Sequence, residues 1–342
     1  MRIAVDAAGP EPAPDIVIKG TLEAWREARQ SSNVIYPVFY GPSDTIRQIL
    51  YAEGEEPDEF EVVHAPDIVQ ADDVPSDVIS LKTASSIVRA VQHLATGAVS
   101  AFVSMGNTGA VVASARAYLG RLRWVSKPAL AAPLPRNGEP GLLLDVGATS
   151  DPRNSHLLQF AAMGAAFSEL VYRISNPKVG LLNIGSEPHK GDELAREAYR
   201  QLSRSPLHFI GNVEGGDLFT GKADVIVCSG MVGNTLIKFA ESIPFLLRER
   251  VGNEPWFPRL LGALKDLDYA RYGGATLLGV DGPVIIGHGR SGAGAVRRAL
   301  FWAREMVRAD MTRVLKDSVF RVRRAHWLTN PFSRMEGSEE DG

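Results

Sequence analysis

Five short stretches of the 342-residue chain combine residue types that can hold an anion, and each begins where an apolar run gives way to polar residues. "VSMGNTGA" sets Gly106, Asn107 and Thr108 between a strand and a helix start. Unpaired backbone N–H groups and the positive helix end favour phosphate at such a place. "NIGSEPHKGDE" repeats the arrangement with a cation: Asn183, Gly185 and Gly191 frame Lys190, which can neutralise a phosphate near the helix terminus, and His189 stands beside it. "LLLDVGAT" brings Asp145 to a strand end, where a carboxylate can orient a histidine or a backbone loop. "VCSGMVGNT" ends a strand in Ser229 and opens a helix through Asn234, and "IIGHGRS" offers His288, a group able to move a proton near neutral pH. Plainer roles fit the same residues: Asn107 or Thr108 as a helix cap, Lys190 as a solvated loop lysine, Asp145 as an acceptor for turn amides.

Other chemistries lack their signals. No segment reads "HExxH" or "GxSxG", the "SMGNTGA" stretch neither matches "GxGxxG" nor carries a Walker lysine, and no metal or cofactor is expected. The lone Cys228 excludes an internal disulfide framework, and a small buried hydrophobe is the favoured role over a nucleophile. A formal net charge of -3 gives no basic field for nucleic acid, so an anionic ligand must be met locally.

Positioning these residues requires a sheet. Eleven β-rich apolar runs, from "RIAVDA" to "PVIIGHG", suit strands buried on both faces, and therefore a largely parallel sheet. Amphipathic patterns between them predict helices over 15–29, 77–96, 154–174, 192–203 and 234–250, which makes a layered α/β fold. Gly106, Gly147, Gly185, Gly230 and Gly289 each follow a strand closely, and in open α/β sheets ligands bind beyond the carboxyl ends of strands. One shared crevice is the expectation.

We expect one α/β unit over residues 1–328, with two special segments. Residues 243–266 carry Phe245, Leu246, Trp256, Phe257 and Leu260 among prolines and predict a projecting apolar helical tip for a partner or membrane. Residues 293–327 predict one long helix with a packing face; from Arg290 to Arg324 ten basic residues face three acidic ones. The acidic end, 329–342, is expected to be disordered. With no signal peptide and no membrane-length apolar run, a cytoplasmic protein is expected, reaching the membrane at most from its surface.

Taken in order, "RIAVDA", "SMGNTGA", "PALAAPLP", "GLLLDVGA", "HLLQFAAMGAAF", "VGLLNIGSEPHKG", "FIGNVEG", "ADVIVCSG", "YGGATLLGV" and "PVIIGHGRS" resemble the bacterial phosphate acyltransferase (PlsX) family of phospholipid synthesis, from residue 2 to about 310. The resemblance implies a three-layer α/β/α fold, similar to phosphate acetyltransferases and isocitrate-type dehydrogenases. It also implies transfer of a long fatty acyl group from acyl carrier protein to inorganic phosphate, for later glycerol-3-phosphate acylation. A homodimer attached peripherally to the membrane through the apolar tip is implied as well, and neither a metal nor a covalent enzyme intermediate is needed. Lys190, the Gly106–Thr108 and Gly185 amides and a histidine would divide the binding of phosphate and of the developing oxyanion.

Three positions depart from the family pattern. The first strand continues "DAAGPEPAP" rather than "DAMGGD", leaving Glu11 as the available acid; Thr149 replaces an Asn; Ser229 replaces an Asp suited to acid or base work. Those departures favour an alternative, a catalytically weak relative acting as a scaffold or regulator on carrier protein or membrane. A phosphate acyltransferase using acyl-CoA is a third possibility.

Overall fold

The computed structural model describes residues 1–9, 13–29, 34–136, 140–252, 254, 256–257, 273–289 and 291–329. Among them all eleven apolar runs form strands: β1 (Arg2–Asp6), β2 (Tyr36–Gly41), β3 (Glu61–His64), β4 (Ala101–Ser104), β5 (Ala129–Leu134), β6 (Gly141–Leu144), β7 (Val179–Leu182), β8 (Phe209–Val213), β9 (Val225–Val227), β10 (Ala275–Leu278) and β11 (Val284–Ile286). The chain groups into two compact units, Met1–Gly120 with Ala270–Asp310, and Arg121–Tyr269 with Met311–Gly342.

In the first unit the strand order is β3-β2-β1-β4-β11-β10, and only the β10/β11 pairing is antiparallel. In the second it is β5-β6-β9-β7-β8, with only β5/β6 antiparallel. Parallel strands buried on both faces explain the unbroken apolar runs: β4, β6 and β9 are buried at every residue. Fully burying one such Val, Leu or Phe side chain contributes about 1.5–3 kcal/mol, so Phe39, Tyr40 and Phe102 in one unit and Phe160 and Phe167 in the other anchor separate cores.

Helices cover these sheets. In the first unit they are α1 (Pro14–Ala28), α2 (Ser43–Ala52), α3 (Pro75–Leu81), α4 (Ser86–Ala95), α5 (Thr108–Ser114) and α9 (Ala293–Arg308). In the second they are α6 (Asn154–Val171), α7 (Glu193–Ser203), α8 (Gly230–Val251) and α10 (Met311–Thr329). No described helix is long and apolar enough to cross a membrane.

Two expected helices are each split. The helix expected over 77–96 stops at Leu81 and restarts at Ser86, where the Ser85 hydroxyl accepts from the Val88 amide and caps the new helix. The helix expected over 293–327 breaks at Ala309–Asp310. Asp310 takes φ 49°, a left-handed conformation that ends α9 before α10 begins at Met311. The periodic apolar positions continue through the break, because each half packs within its own unit: α9 on α1, α10 on α6. The acidic end beyond residue 329, and Glu11, lie outside the described residues.

Candidate functional site

The parallel strands of the second unit bring three of the five stretches to one edge. Leu144 pairs with Val227 and Leu181 with Val227, so β6, β9 and β7 run side by side and release Asp145, Cys228 and Asn183 at the same end. Each of these strands gives way to a loop built on backbone groups.

Asp145 organises the first loop. Its Oδ1 accepts from the amides of Leu130 (2.8 Å), Gly147 (3.1 Å) and Ala148 (3.0 Å), and Oδ2 accepts from Thr149 (2.6 Å). The residue is fully buried. Burial raises its pKa above the ordinary carboxylate value, while the four amides oppose that rise. With both oxygens engaged, Asp145 is a positioning residue whose effect on any ligand passes through the 146–149 loop. Thr149 completes the fixing, donating its hydroxyl to the Pro128 carbonyl at 3.0 Å.

Ser229 caps α8, its Oγ accepting from the Val232 amide at 3.4 Å. The next residue must be glycine, since a Cβ on Gly230 would lie 2.4 Å from the Thr149 carbonyl oxygen and 2.5 Å from Asp145 Oδ2. Asn234, one turn on, is exposed and lies against Gly147. Cys228 is buried, and its thiol donates to the Asp145 carbonyl at 3.4 Å. Burial pushes the thiol pKa far up, with the Asp145 charge adding to it, which disfavours a nucleophilic thiolate there.

Asn183 shapes the third loop: its Nδ2 donates to the Lys190 carbonyl at 3.0 Å and its Oδ1 accepts from the Ile184 amide at 2.8 Å. Gly191 holds φ 88° hard against the Asn183 amide, a place that admits no side chain. Gly185 is buried under the Lys190 stem. Lys190 itself is half-buried, and among the described residues its ammonium makes no ion pair or hydrogen bond. His189 is exposed.

The first unit holds the other two stretches at its own strand ends. Asn107 caps α5 through Oδ1, which accepts from the Ala110 amide at 2.9 Å, and its Nδ2 faces the carbonyls of Gln70, Ala71 and Asp73 at 3.1–3.3 Å. It thereby clamps a neighbouring loop as well as capping. Thr108 opens the helix, and Gly106 lies over a carboxylate that the sequence did not single out. This is Asp6, buried at the end of β1, accepting from Ser86 Oγ at 2.6 Å, Ser104 Oγ at 2.7 Å and the Ala8 amide at 3.3 Å. Ser104 Oγ in turn accepts from the Gly106 amide at 3.1 Å, so Asp6 holds the glycine loop indirectly. An acid closing an apolar strand was the signal available for it. His288 follows β11, and its amide donates to the buried Ser291 hydroxyl at 3.2 Å. In the apolar segment Trp256 is 49% exposed, but Phe257 is buried and so faces protein. The Phe245 side chain and Leu260 lie outside the described residues.

Parallel strands releasing glycine loops, helix starts and a half-buried lysine at one edge define an α/β protein of the kind whose ligands lie beyond the carboxyl ends of its strands. Solved structures of that architecture match the chain: the phosphotransacetylase from Streptococcus pyogenes covers 90% of it and 94% of its own chain at TM-score 0.59 and 15% identity. The branched-chain phosphotransacylase from Enterococcus faecalis covers 90% and 99% at TM-score 0.56 and 17% identity. Residues 1–314 match the family model described as "Fatty acid synthesis protein". The phosphate acyltransferase of Dictyoglomus turgidum is 40% identical over 336 residues, 94% of this chain and 98% of that protein, and that of Heliobacterium modesticaldum is 42% identical over 332 residues, 93% and 98%. The chain belongs to this fatty acid synthesis family of phosphate acyltransferases.

Proposed function

We propose that the protein transfers a long-chain fatty acyl group from acyl carrier protein to inorganic phosphate, releasing acyl phosphate for glycerol-3-phosphate acylation. The observation that supports the site most strongly is Lys190: a half-buried ammonium with no partner among the described residues, on the loop that follows β7, the strand paired with β9. A free cation there favours an anionic ligand strongly, because the site is partly shielded from water.

In the reaction a phosphate oxygen bonds to the thioester carbonyl carbon. The C–S bond then breaks, and the sulfur leaves as a thiolate that takes a proton from solvent. Hydrogen phosphate already carries unprotonated oxygens near neutral pH, so the attack needs no base from the protein. What the protein supplies is orientation of two reactants and charge for the oxyanion. Lys190 and the start of α8 do this in the second unit, with Asn183, Gly185, Gly191 and Asn234 shaping the pocket. In the first unit the Asp6-braced loop of Gly106–Thr108, and His288, stand at their own strand ends. Ser229 keeps the cap of α8 without a negative charge, which leaves the helix start favourable to a dianion.

The working form is proposed to be a cytoplasmic homodimer docking on the membrane through Leu246, Trp256 and the segment around them. A second reading, a scaffold or regulator with weak catalysis, is favoured by the absent carboxylate at Ser229 and by the altered loop after the first strand. Following free carrier thiol released from palmitoyl-ACP separates the two. Release that depends on added phosphate supports the enzyme, and release no faster than the protein-free background rejects it.

A further inference from the structure

We propose that a basic patch around Trp124, built from the segment leading into β5 and the outer face of α10, docks an acidic surface of the protein that delivers the acyl group. The proposal rests on the acyl-transfer reading above and adds where the carrier sits.

Trp124 is the centre of the patch. The Arg123 guanidinium lies 4.5 Å from its ring centroid, that of Arg323 on α10 lies 4.8 Å from it, and the Phe320 ring tilts against it at 6.0 Å. The tryptophan is half-buried and takes φ 74°, an uncommon conformation for a bulky residue. Neither guanidinium forms an ion pair among the described residues. A ring attracts a guanidinium without neutralising it, so both charges stay available to a partner.

The helix widens the patch. Helical spacing sets Lys316, Phe320, Arg321 and Arg324 within an arc of about 140°. All four are exposed, while Leu315, Ser318, Val319 and Val322 are buried on the opposite side, where α10 packs on α6. Lys316, Arg321 and Arg324 also form no ion pair among the described residues, and Asp317 is the single acid in the α10 sequence.

The patch stands close to the reaction edge of its own unit. Trp124 precedes Pro128 by four residues, a span of about 14 Å at most. The Pro128 carbonyl accepts from the Thr149 hydroxyl at 3.0 Å, and the Leu130 amide donates to Asp145 Oδ1 at 2.8 Å. α6 holds both halves of the patch in place: Gln159 Oε1 accepts from the Ser126 amide at 2.8 Å, and the Ala162 carbonyl from Ser318 Oγ at 3.2 Å.

Charge and position together select the occupant. Uncompensated guanidiniums match carboxylates on a partner, to which they can donate paired hydrogen bonds. A bilayer fits poorly, because an interfacial helix inserts its apolar face and that of α10 is taken up by α6. The net charge of -3 gives nucleic acid no wider field to follow. A protein bearing a tethered thioester has to dock within reach of the loop that Asp145 holds, and the patch lies within that reach.

The test uses the full-length protein and fluorophore-labelled acyl carrier protein without an acyl chain, so that docking is read apart from turnover. Anisotropy should show about tenfold weaker carrier binding by Arg321→Glu with Arg324→Glu. Added salt should weaken wild type more than this variant. Lys19→Glu with Arg204→Glu makes the same charge change at two other exposed positions and should bind as wild type does. With palmitoyl-ACP as donor, the Arg321 and Arg324 reversals should raise the donor KM about tenfold with kcat little changed. If they lower the melting temperature, Arg321→Gln with Arg324→Gln takes their place, with about threefold weaker binding expected. Equal carrier affinity in wild type and a folded patch variant overturns the proposal. So does an equal loss in the Lys19 and Arg204 control, or a loss confined to anionic liposomes. Carrier binding that depends on Arg321 and Arg324, without acyl phosphate from any donor, keeps the docking surface and rejects the enzyme.

Discussion

The amide of Gly230 donates to the carbonyl of Thr149 at 3.1 Å, tying the start of α8 to the loop that Asp145 holds. A methyl group at Gly230 has no room, so Gly230→Ala must push the helix off the loop. We expect a loss of about 1–3 kcal/mol in urea unfolding. Unchanged stability would mean that the two elements are not locked together.

Removing the acceptor beneath that loop has a comparable cost. Asp145→Asn turns one of its oxygens into a donor facing buried amides, and about 2 kcal/mol or more should be lost. A thermal melt checks the stability. Activity at a temperature where the variant stays folded should also drop, since the loop and not the carboxylate meets the ligand.

Asp6 should make stability depend on pH. Burial raises its pKa above 3.8, the bonds from Ser86, Ser104 and Ala8 opposing, so the folded chain holds this proton more tightly than the unfolded one. The resulting stabilisation is complete below 3.8 and disappears as pH rises through the raised value. Asp6→Asn does not titrate. The unfolding free energy of wild type minus that of Asp6→Asn should therefore fall as pH is raised from 3.8 upward. A difference that stays constant or grows would show that Asp6 is not held this way.

Ser229→Asp restores the carboxylate that the family pattern carries. Aspartate also caps helices well, so the fold should be kept. A negative charge at the helix start costs about 1 kcal/mol against a dianion, and the phosphate KM should rise roughly fivefold with kcat little changed. A tenfold gain in kcat would instead show that the reaction needs a base.

The strands were legible because burial on both faces leaves an unbroken apolar run, as in "SAFVS" or "GLLLD". The breaks at Lys82–Ser85 and Ala309–Asp310 were not, since the helical period runs straight through them and packing in separate places decides where each helix stops. Asn107, Asn183 and Asp145 were recognisable as polar residues at strand ends, but their partners come from Gln70, Lys190 and Leu130, which only the fold brings near. Asp6 went unremarked for the same reason: the hydroxyl that marks it, Ser86, is eighty residues away. Ser229 stood out only against the family pattern, and the structure adds that its hydroxyl keeps the capping half of that position's work.

Trapping with hydroxylamine reads the acyl phosphate product itself. Purified protein incubated with palmitoyl-ACP and inorganic phosphate should yield palmitoyl hydroxamate in proportion to enzyme and phosphate. Lys190→Ala, with an unchanged melt, should reduce it to background. Equal hydroxamate from wild type and Lys190→Ala would remove the lysine from the site, and none from wild type would contradict the account itself.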